Sequence, residues 1–219
     1  MIEITIKDRR PTGARDNKWV KAMATWLVRS GVRPNQISLL SVLFAGLSAV
    51  CLILAATADP GWQSALFLTA AAFIPFRGLC NLCDGLMAVE GGLKTKSGDI
   101  FNDLPDRISD SALLVAAGYS VSGVSWGPEL GWLAAVLAVM TAYVRVLGGS
   151  AGASQQYCGP MAKPHRVGVI AAACLIAAVE SAMGLAGRAM TFALVVVILG
   201  CAVTIVRRTA RIVKELEST

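Results

Sequence analysis

Long runs of apolar residues alternate with short polar segments along most of the chain, and this pattern predicts membrane-spanning helices. Six runs approach the roughly 20 residues that a helix needs to cross a bilayer, most of them once flanking residues are added. Lipid offers no hydrogen bonds to an open backbone, so each run is predicted to be helical. The predicted spans are residues 37–58, 62–76, 111–128, 130–144, 167–179 and 189–206.

The segment before the first run has a different pattern. Residues 1–16 are polar and irregular, whereas residues 17–30 place apolar side chains at helical spacing against basic ones. A helix with these two faces is typical of the membrane interface, where it lies in the plane of the surface. Its apolar positions are Trp19, Val20, Met23, Trp26 and Leu27, and its basic ones Lys18, Lys21 and Arg29.

Composition supports an integral membrane protein. Of the 219 residues 55% are apolar and 16% charged, and the uncharged runs are too long for one soluble core of this size. We therefore predict an all-α integral membrane protein with six transmembrane helices and an N-terminal interfacial amphipathic helix. Residues 1–33 are predicted to form a cytoplasmic arm with that helix, and residues 34–219 the transmembrane domain with a cytoplasmic C-terminal tail.

The basic residues set the predicted orientation. Eight Lys or Arg residues precede the first span, and four follow the last one. Cytoplasmic flanks of membrane helices carry the excess of Lys and Arg, so both termini should be cytoplasmic, with the segments around 84–110 and 146–166 on the same side. The net charge of +6 is spread over these flanks, which favours membrane lipids as partners and argues against nucleic acid. No cleavable signal is recognised at the start of the chain, and a bacterial inner membrane is the expected location.

Polar residues interrupt the apolar pattern after the second run. Six acids fall between Asp84 and Asp110, together with amides and glycines. A carboxylate at the edge of hydrocarbon carries a desolvation cost of roughly a few kcal/mol or more unless a cation or hydrogen bonds offset it. The segment is therefore predicted to hold a functional site.

Two helical faces carry these polar groups. Asn102 and Asp106 lie four residues apart at the start of the third span, and a second set shares one face of a helix that continues the second span. Oxygen ligands on two such faces can hold Mg²⁺ or Mn²⁺, and a spare carboxylate beside a metal-bridged diphosphate can act as a base. The second set comprises Arg77, Asn81, Asp84, Gly85 and Ala88.

The spacing of these residues resembles the motif of the CDP-alcohol phosphotransferase family. That motif runs D-x-x-D-G-x-x-A-R, then eight to twelve residues, then G-x-x-x-D-x-x-x-D. This chain has N-x-x-D-G-x-x-A-V from residue 81, then eight residues, then G-x-x-x-N-x-x-x-D from residue 98. The resemblance extends more loosely to the interfacial helix, to the entry of the first span at residues 34–38, and to six spans with both ends inside.

The resemblance implies a metal-dependent phospholipid-synthesising enzyme with a cytoplasmic active site. Such an enzyme moves a phosphatidyl group from a CDP-linked lipid, CDP-diacylglycerol, to a small alcohol and releases CMP. Asp106 is then the general base. The implied cofactor is one or two Mg²⁺ or Mn²⁺ ions, with Asn81, Asp84, Asn102 and Asp106 as ligands. The implied CDP-binding residues are Gly85, Ala88 and Gly98, with Arg77 and Lys94 as nearby cations.

Three departures from the family motif weaken its charge. Asn81 and Asn102 replace two of the four acids, which lowers the motif charge from −4 to −2, and Val89 replaces the arginine. The site is expected to bind metal more weakly, or to hold one ion where the family usually holds two. Carboxylates that can compensate are Glu90, Asp99 and Asp103, and the cations that can do so are Arg77, Lys94 and Lys96.

Basic residues at the ends of the fourth and fifth predicted spans resemble the positions with which family members hold the acceptor alcohol or the lipid phosphate. Arginine gives a fork for phosphate, and lysine a point charge. These charges favour a polyol or a phosphorylated alcohol, and the low aromatic content argues against a quaternary ammonium acceptor. The residues are Arg145, Lys163, His165 and Arg166.

Other functions remain open on the sequence. A reversed donor would transfer a phospho-alcohol from a CDP-alcohol to diacylglycerol, and a degenerate family member would bind a CDP-lipid without turnover. An ion or proton transporter is less favoured, because paired broken helices are missing from the pattern. The spans rich in Gly and Ala permit a homodimer.

Overall fold

The structure is a computed structural model that describes residues 17–89, 91–93, 97–185 and 187–218. These residues form seven α-helices and their connections, and no strand occurs in them. The polar arm predicted for residues 1–16 lies outside them. The helices are α1 (Lys18–Arg29), α2 (Pro34–Ala55), α3 (Pro60–Val89), α4 (Gly98–Tyr119), α5 (Gly127–Ser150), α6 (Lys163–Ala182) and α7 (Ala189–Glu217).

Five of these helices, α2, α3, α5, α6 and α7, are long and apolar enough to cross a membrane. Many of their large apolar side chains are exposed on the outside of the bundle, as expected for lipid contact. The helix α4 is not among the five, since its first half carries Asp103, Asp106, Arg107 and Asp110. The all-helical prediction is thus confirmed for the described residues.

Helices α2 to α7 form a closed ring, because each packs against two main neighbours in the order α2, α3, α6, α7, α5, α4 and back to α2. Alanine dominates the buried core between them. The backbones of α4 and α5 approach most closely at two glycines: a Cβ on Gly118 would lie 2.7 Å from the Cα of Gly131. Small residues of this kind let membrane helices approach closely and pack by van der Waals contact.

The second predicted span continues as expected, whereas the third ends early. The helix α3 runs 13 residues beyond residue 76, and the first half of the polar motif lies on it, as predicted for a helix that continues the second span. The third predicted span, residues 111–128, is wrong at its end, because α4 stops at Tyr119. A turn with Gly123 at φ 83° follows, and Pro128 lies in the first turn of α5, where its missing N–H costs nothing.

The helix α1 packs against the second half of α3. Its N-cap is Asn17, whose side chain accepts a hydrogen bond of 2.9 Å from the amide of Trp19. Val20, Met23 and Leu27 pack on a small core around Cys80, Cys83 and Met87, whereas Trp19 and Trp26 point away from it and are exposed. Part of the predicted apolar face of α1 therefore packs on the protein, and the two tryptophans are exposed. An interfacial position for α1 stays a prediction.

Candidate functional site

Asp84 is buried near the end of α3, and only one of its two carboxylate oxygens has a hydrogen-bond partner. The hydroxyl of Ser38 on α2 donates a 2.6 Å hydrogen bond to its Oδ2 atom, while its Oδ1 atom is buried and accepts no hydrogen bond. Arg33, and not Ser38, is the N-cap of α2. Ser38 instead contacts the motif acid from a neighbouring helix, leaving one carboxylate oxygen available for a ligand.

Asp106 on α4 has partners on both oxygens. The side-chain amide of Asn81 on α3 donates a 2.9 Å hydrogen bond to Oδ1, and the ammonium group of Lys163 on α6 forms an ion pair with Oδ2. The guanidinium of Arg77 lies 3.6 Å from Oδ1. Three helices therefore converge on this carboxylate, and the Asn81 contact joins the two halves of the motif.

Asp110, one turn further along α4, is the centre of a fully buried ion-pair network. Its Oδ1 lies 2.6 Å from Nη2 of Arg77, and its Oδ2 lies 2.9 Å from Nη2 of Arg166. Arg166 also donates to the hydroxyl of Thr141 and to the carbonyl of Met161. Asp110 is not among the site residues predicted from the sequence, and its place one turn after Asp106 is the signal that could have identified it.

The other predicted metal and CDP residues lie around this centre with fewer contacts. Asn102 is exposed on α4, and no hydrogen bond joins it to Asp84 or Asp106. Gly85 and Ala88 follow Asp84 on α3, and a Cβ on Gly85 would meet open space. Gly98 begins α4. Lys94, Glu90 and Lys96 lie outside the described residues, and so does the side chain of Asp99.

The predicted acceptor residues fall into three environments. Arg145 forms a 2.9 Å ion pair with Asp103 and a 2.5 Å hydrogen bond to Gln155. His165 is exposed near the start of α6. Both Nη atoms of Arg166 are used inside the bundle, and Lys163 is directed at Asp106. Of the four residues only His165 is exposed, whereas Arg145, Lys163 and Arg166 are each paired with a carboxylate of α4.

The connection between α5 and α6, residues 151–162, accepts hydrogen bonds from Arg145 and Arg166 and is also hydrogen-bonded to α7. Besides the Gln155 and Met161 contacts already described, the carbonyl of Cys158 accepts a hydrogen bond from Arg208. Thr204 accepts a hydrogen bond from the Met161 amide, and Glu215 accepts from the Ser154 amide and hydroxyl. Sequence reasoning missed these partners, because contacts between distant segments leave no local pattern.

The chemistry of the oxygen donors present suits a hard divalent cation. A buried carboxylate oxygen without a partner, Oδ1 of Asp84, is available, and Mg²⁺ is often held by one or two carboxylates together with water and substrate phosphates. A richer site is not available in the described residues, because no group of three or more His, Cys, Asp or Glu side chains can hold a metal there. The number and identity of bound ions stay predictions.

Solved proteins share this fold. The structure of Mycobacterium tuberculosis phosphatidylinositol phosphate synthase (PgsA1) with CDP-DAG bound has a TM-score of 0.73 at 18% sequence identity, covering 90% of this chain and 94% of that one. The same protein in complex with manganese and citrate gives 0.72 at 19% identity, covering 88% of each chain. At these identities the likeness concerns the fold.

Sequence comparison identifies the family. Inner membrane protein YnbA of Escherichia coli (strain K12) is 28% identical over 141 residues, which are 64% of this chain and 66% of that relative, just under two thirds of its length. The family model described as CDP-alcohol phosphatidyltransferase matches residues 32–212, which include both halves of the polar motif and the cations of α6. This match confirms the resemblance drawn from the motif, and the chain belongs to the CDP-alcohol phosphatidyltransferase family.

Proposed function

We propose that this protein is a membrane enzyme that transfers a phosphatidyl group from CDP-diacylglycerol to a small alcohol and releases CMP. Family membership supports the reaction class. The observation that carries the proposal is the hydrogen bond between Asn81 and Asp106, because it brings the two halves of the motif together beside the unpaired oxygen of Asp84. The acceptor is a polyol or a phosphorylated alcohol.

The proposed chemistry is a displacement at the lipid phosphorus. The alcohol oxygen forms a bond to the phosphorus that carries the lipid, the bond from that phosphorus to the oxygen of CMP breaks, and the proton of the alcohol passes to a carboxylate oxygen of Asp106. A divalent cation, Mg²⁺ or Mn²⁺, supplies charge stabilisation for the diphosphate when bound. Asp84 is its proposed ligand; of the other positions that the motif implies, Asn81 and Asp106 are hydrogen-bonded to each other and Asn102 is exposed.

The proposed substrate-binding site uses the open space beside these residues. The cytidine and the diphosphate are proposed to lie along α3 over Gly85 and Ala88, with Gly98 opposite, since a Cβ at Gly85 would meet nothing within 4 Å. Arg145 and His165 are the proposed contacts for the acceptor alcohol. Arg145 stacks over the ring of Tyr157 at 5.4 Å, which orients its guanidinium beside Asp103.

In the membrane, α4 is proposed to complete a bundle of six spans, with its acidic first half at the cytoplasmic surface and its apolar second half in lipid. Apolar residues from Leu113 to Ala117 pack inside the ring formed with α5 and α2. Both termini and the active site are cytoplasmic in this arrangement, and α1 lies at the interface with Trp19 and Trp26 as anchors. The inner membrane assignment of the E. coli relative supports this location.

A donor and acceptor panel tests the proposal. Purified protein in detergent is incubated with Mg²⁺ or Mn²⁺, with CDP-diacylglycerol or a CDP-amino alcohol labelled in the donor, and with polyols, phosphorylated alcohols or diacylglycerol. Phosphatidyl transfer predicts CMP release and label in a new phospholipid only with CDP-diacylglycerol. Product from a CDP-amino alcohol and diacylglycerol would instead support the reversed donor. Absence of CMP from every combination contradicts both enzymatic functions.

One observation favours a second candidate, a family member that binds a CDP-lipid without turnover. Both oxygens of Asp106, the proposed base, are engaged by Asn81 and Lys163. Comparing wild type with the double variant Asn81→Asp, Asn102→Asp separates the two. A silent wild type that binds CDP-diacylglycerol, together with a double variant that releases CMP, supports the binder; turnover by the wild type excludes it.

A further inference from the structure

We propose that this chain binds one divalent cation, through Asp84, and that the ammonium group of Lys163 occupies the position beside Asp106 that a second cation would take. The inference rests on the proposed function, because it concerns the cofactor of the same site. It also gives Lys163 a different role from the acceptor contact that its position in the sequence predicts.

The two motif carboxylates, Asp84 and Asp106, differ in whether an oxygen atom remains without a partner and can bind a metal ion. Asp84 keeps one buried oxygen without a partner. Asp106 has neither oxygen unpartnered, since an amide N–H group contacts Oδ1 and the lysine ammonium contacts Oδ2. A metal ion at Asp106 would have to displace a cation that is already there, whereas Oδ1 of Asp84 has no hydrogen bond to lose.

Asn81 strengthens this argument through the direction of its hydrogen bond. Its amide nitrogen donates to Asp106, so an N–H group points to the space where a carboxylate at this position would offer an oxygen to a bridging ion. An N–H group repels a metal ion. Asn102, the other substituted motif position, is exposed and makes no hydrogen bond to either motif aspartate.

The position of Lys163 in α6 also requires a specific partner. Lys163 is the first residue of that helix, where the backbone dipole favours negative charge and opposes a cation. Its side chain is only 20% exposed, so the ammonium group has lost most of its water. The ion pair with Asp106 offsets both costs, and Lys163 is therefore held at the site even without substrate.

Charge balance gives the same count of ions. Among the described residues, the three carboxylates of Asp84, Asp106 and Asp110 lie with the three cations that pair directly with Asp106 and Asp110, namely Arg77, Lys163 and Arg166, and this group of six is neutral by itself. One divalent cation gives it an excess of two positive charges, which matches a doubly charged diphosphate. A second divalent cation would leave positive charge in a poorly hydrated site without a counter-ion, which is costly.

Manganese binding tests the proposal directly. Protein purified in detergent is titrated with Mn²⁺, and the free ion is measured by electron paramagnetic resonance. We expect one Mn²⁺ per wild-type chain and its loss in Asp84→Asn. In the background Asn81→Asp, Asn102→Asp, adding Lys163→Gln is expected to strengthen a second Mn²⁺ site by at least about tenfold, since one competing charge is removed beside Asp106.

Matched variants control for general charge and for folding. Arg145→Gln in the same background also removes one cation but leaves Asp106 untouched, so it should change the second affinity by much less than Lys163→Gln. Lys163→Arg keeps the charge and should retain the wild-type count of one. Two ions on the wild type, no ion on it, or equal effects of Lys163→Gln and Arg145→Gln would each overturn the proposal.

The experiment distinguishes this inference from the proposed function. A wild type that binds one Mn²⁺ and releases no CMP with any donor contradicts the function and supports the one-ion site. A wild type that binds two Mn²⁺ and releases CMP supports the function and overturns the one-ion site. Thermal unfolding of each variant identifies any that has failed to fold. If Lys163→Gln fails to fold, the numbers of Mn²⁺ ions bound by the wild type and by Lys163→Arg decide the proposal.

Discussion

Asp84 and Asp110 are two carboxylates of nearly equal burial, 4% and 3% exposed, in very different surroundings. Each oxygen of Asp110 is paired with an arginine, from α3 on one side and from α6 on the other. Asp84 has one serine hydroxyl and one oxygen without a partner. Burial by itself therefore does not distinguish the proposed metal ligand, Asp84, from Asp110 in its ion-pair network; the partners of each carboxylate oxygen do.

The largest expected effect is on turnover, at the Asp84 side of this comparison. Asp84→Asn should fold normally but lower the rate of CMP release by roughly 10²- to 10⁴-fold, because a bound metal ion supplies several kcal/mol of charge stabilisation. The rate is measured with CDP-diacylglycerol and the preferred acceptor, and folding by thermal unfolding in detergent. A variant with normal turnover would remove Asp84 from the site.

The largest expected effect on stability is at Asp110. Asp110→Asn removes a charge between two buried guanidinium groups, and breaking such a buried pair costs about 3–5 kcal/mol. We expect a clear fall in the unfolding temperature. The control is Asp103→Asn, which affects a more exposed ion pair with Arg145 and should cost about 1 kcal/mol or less. Equal losses in the two variants would contradict a structural role for the Asp110 network.

A smaller effect is expected at Ser38, which holds Asp84 from α2. Ser38→Ala removes a hydrogen bond to a carboxylate, worth about 1.5–3 kcal/mol, and should lower stability less than Asp110→Asn does. The matched control is Ser41→Ala, one turn later, because the Ser41 hydroxyl bonds only the carbonyl of Ser38 on its own helix. If the two serine variants unfold at the same temperature, the Ser38 contact adds nothing to the position of Asp84.

The smallest predicted change concerns the packing of α4, the helix that carries Asp106 and Asp110, against α5. Gly118→Ala places a Cβ within 3 Å of the α5 backbone and should destabilise the protein by about 1–3 kcal/mol. Gly46→Ala on α2 is the control, since its Cβ would meet nothing within 4 Å and alanine favours helix by up to about 1 kcal/mol. Unchanged stability for Gly118→Ala would mean that α4 can shift relative to α5.

Much of the layout could be predicted from local patterns. Apolar runs predicted the long helices, and the four- and three-residue spacings predicted that Asn81 and Asp84 share a face of α3, which holds because α3 continues to Val89. The end of the third span was missed because residues 120–126 carry no charge, although their three serines and Gly123 are typical of a turn. The role of Asp110 was missed because both of its partners lie on other helices, 33 and 56 residues away.

The sequence by itself determined the helices, the family motif and its reduced charge, since these depend on residue type and on spacing along one helix. The tertiary structure decided which of the acids have partners. It directed the Asn81 amide and the Lys163 ammonium to Asp106, and both guanidinium groups to Asp110, and it left one oxygen of Asp84 unpaired. The physical reason is that a charge buried between helices is satisfied by groups distant in the chain, and only packing brings them together.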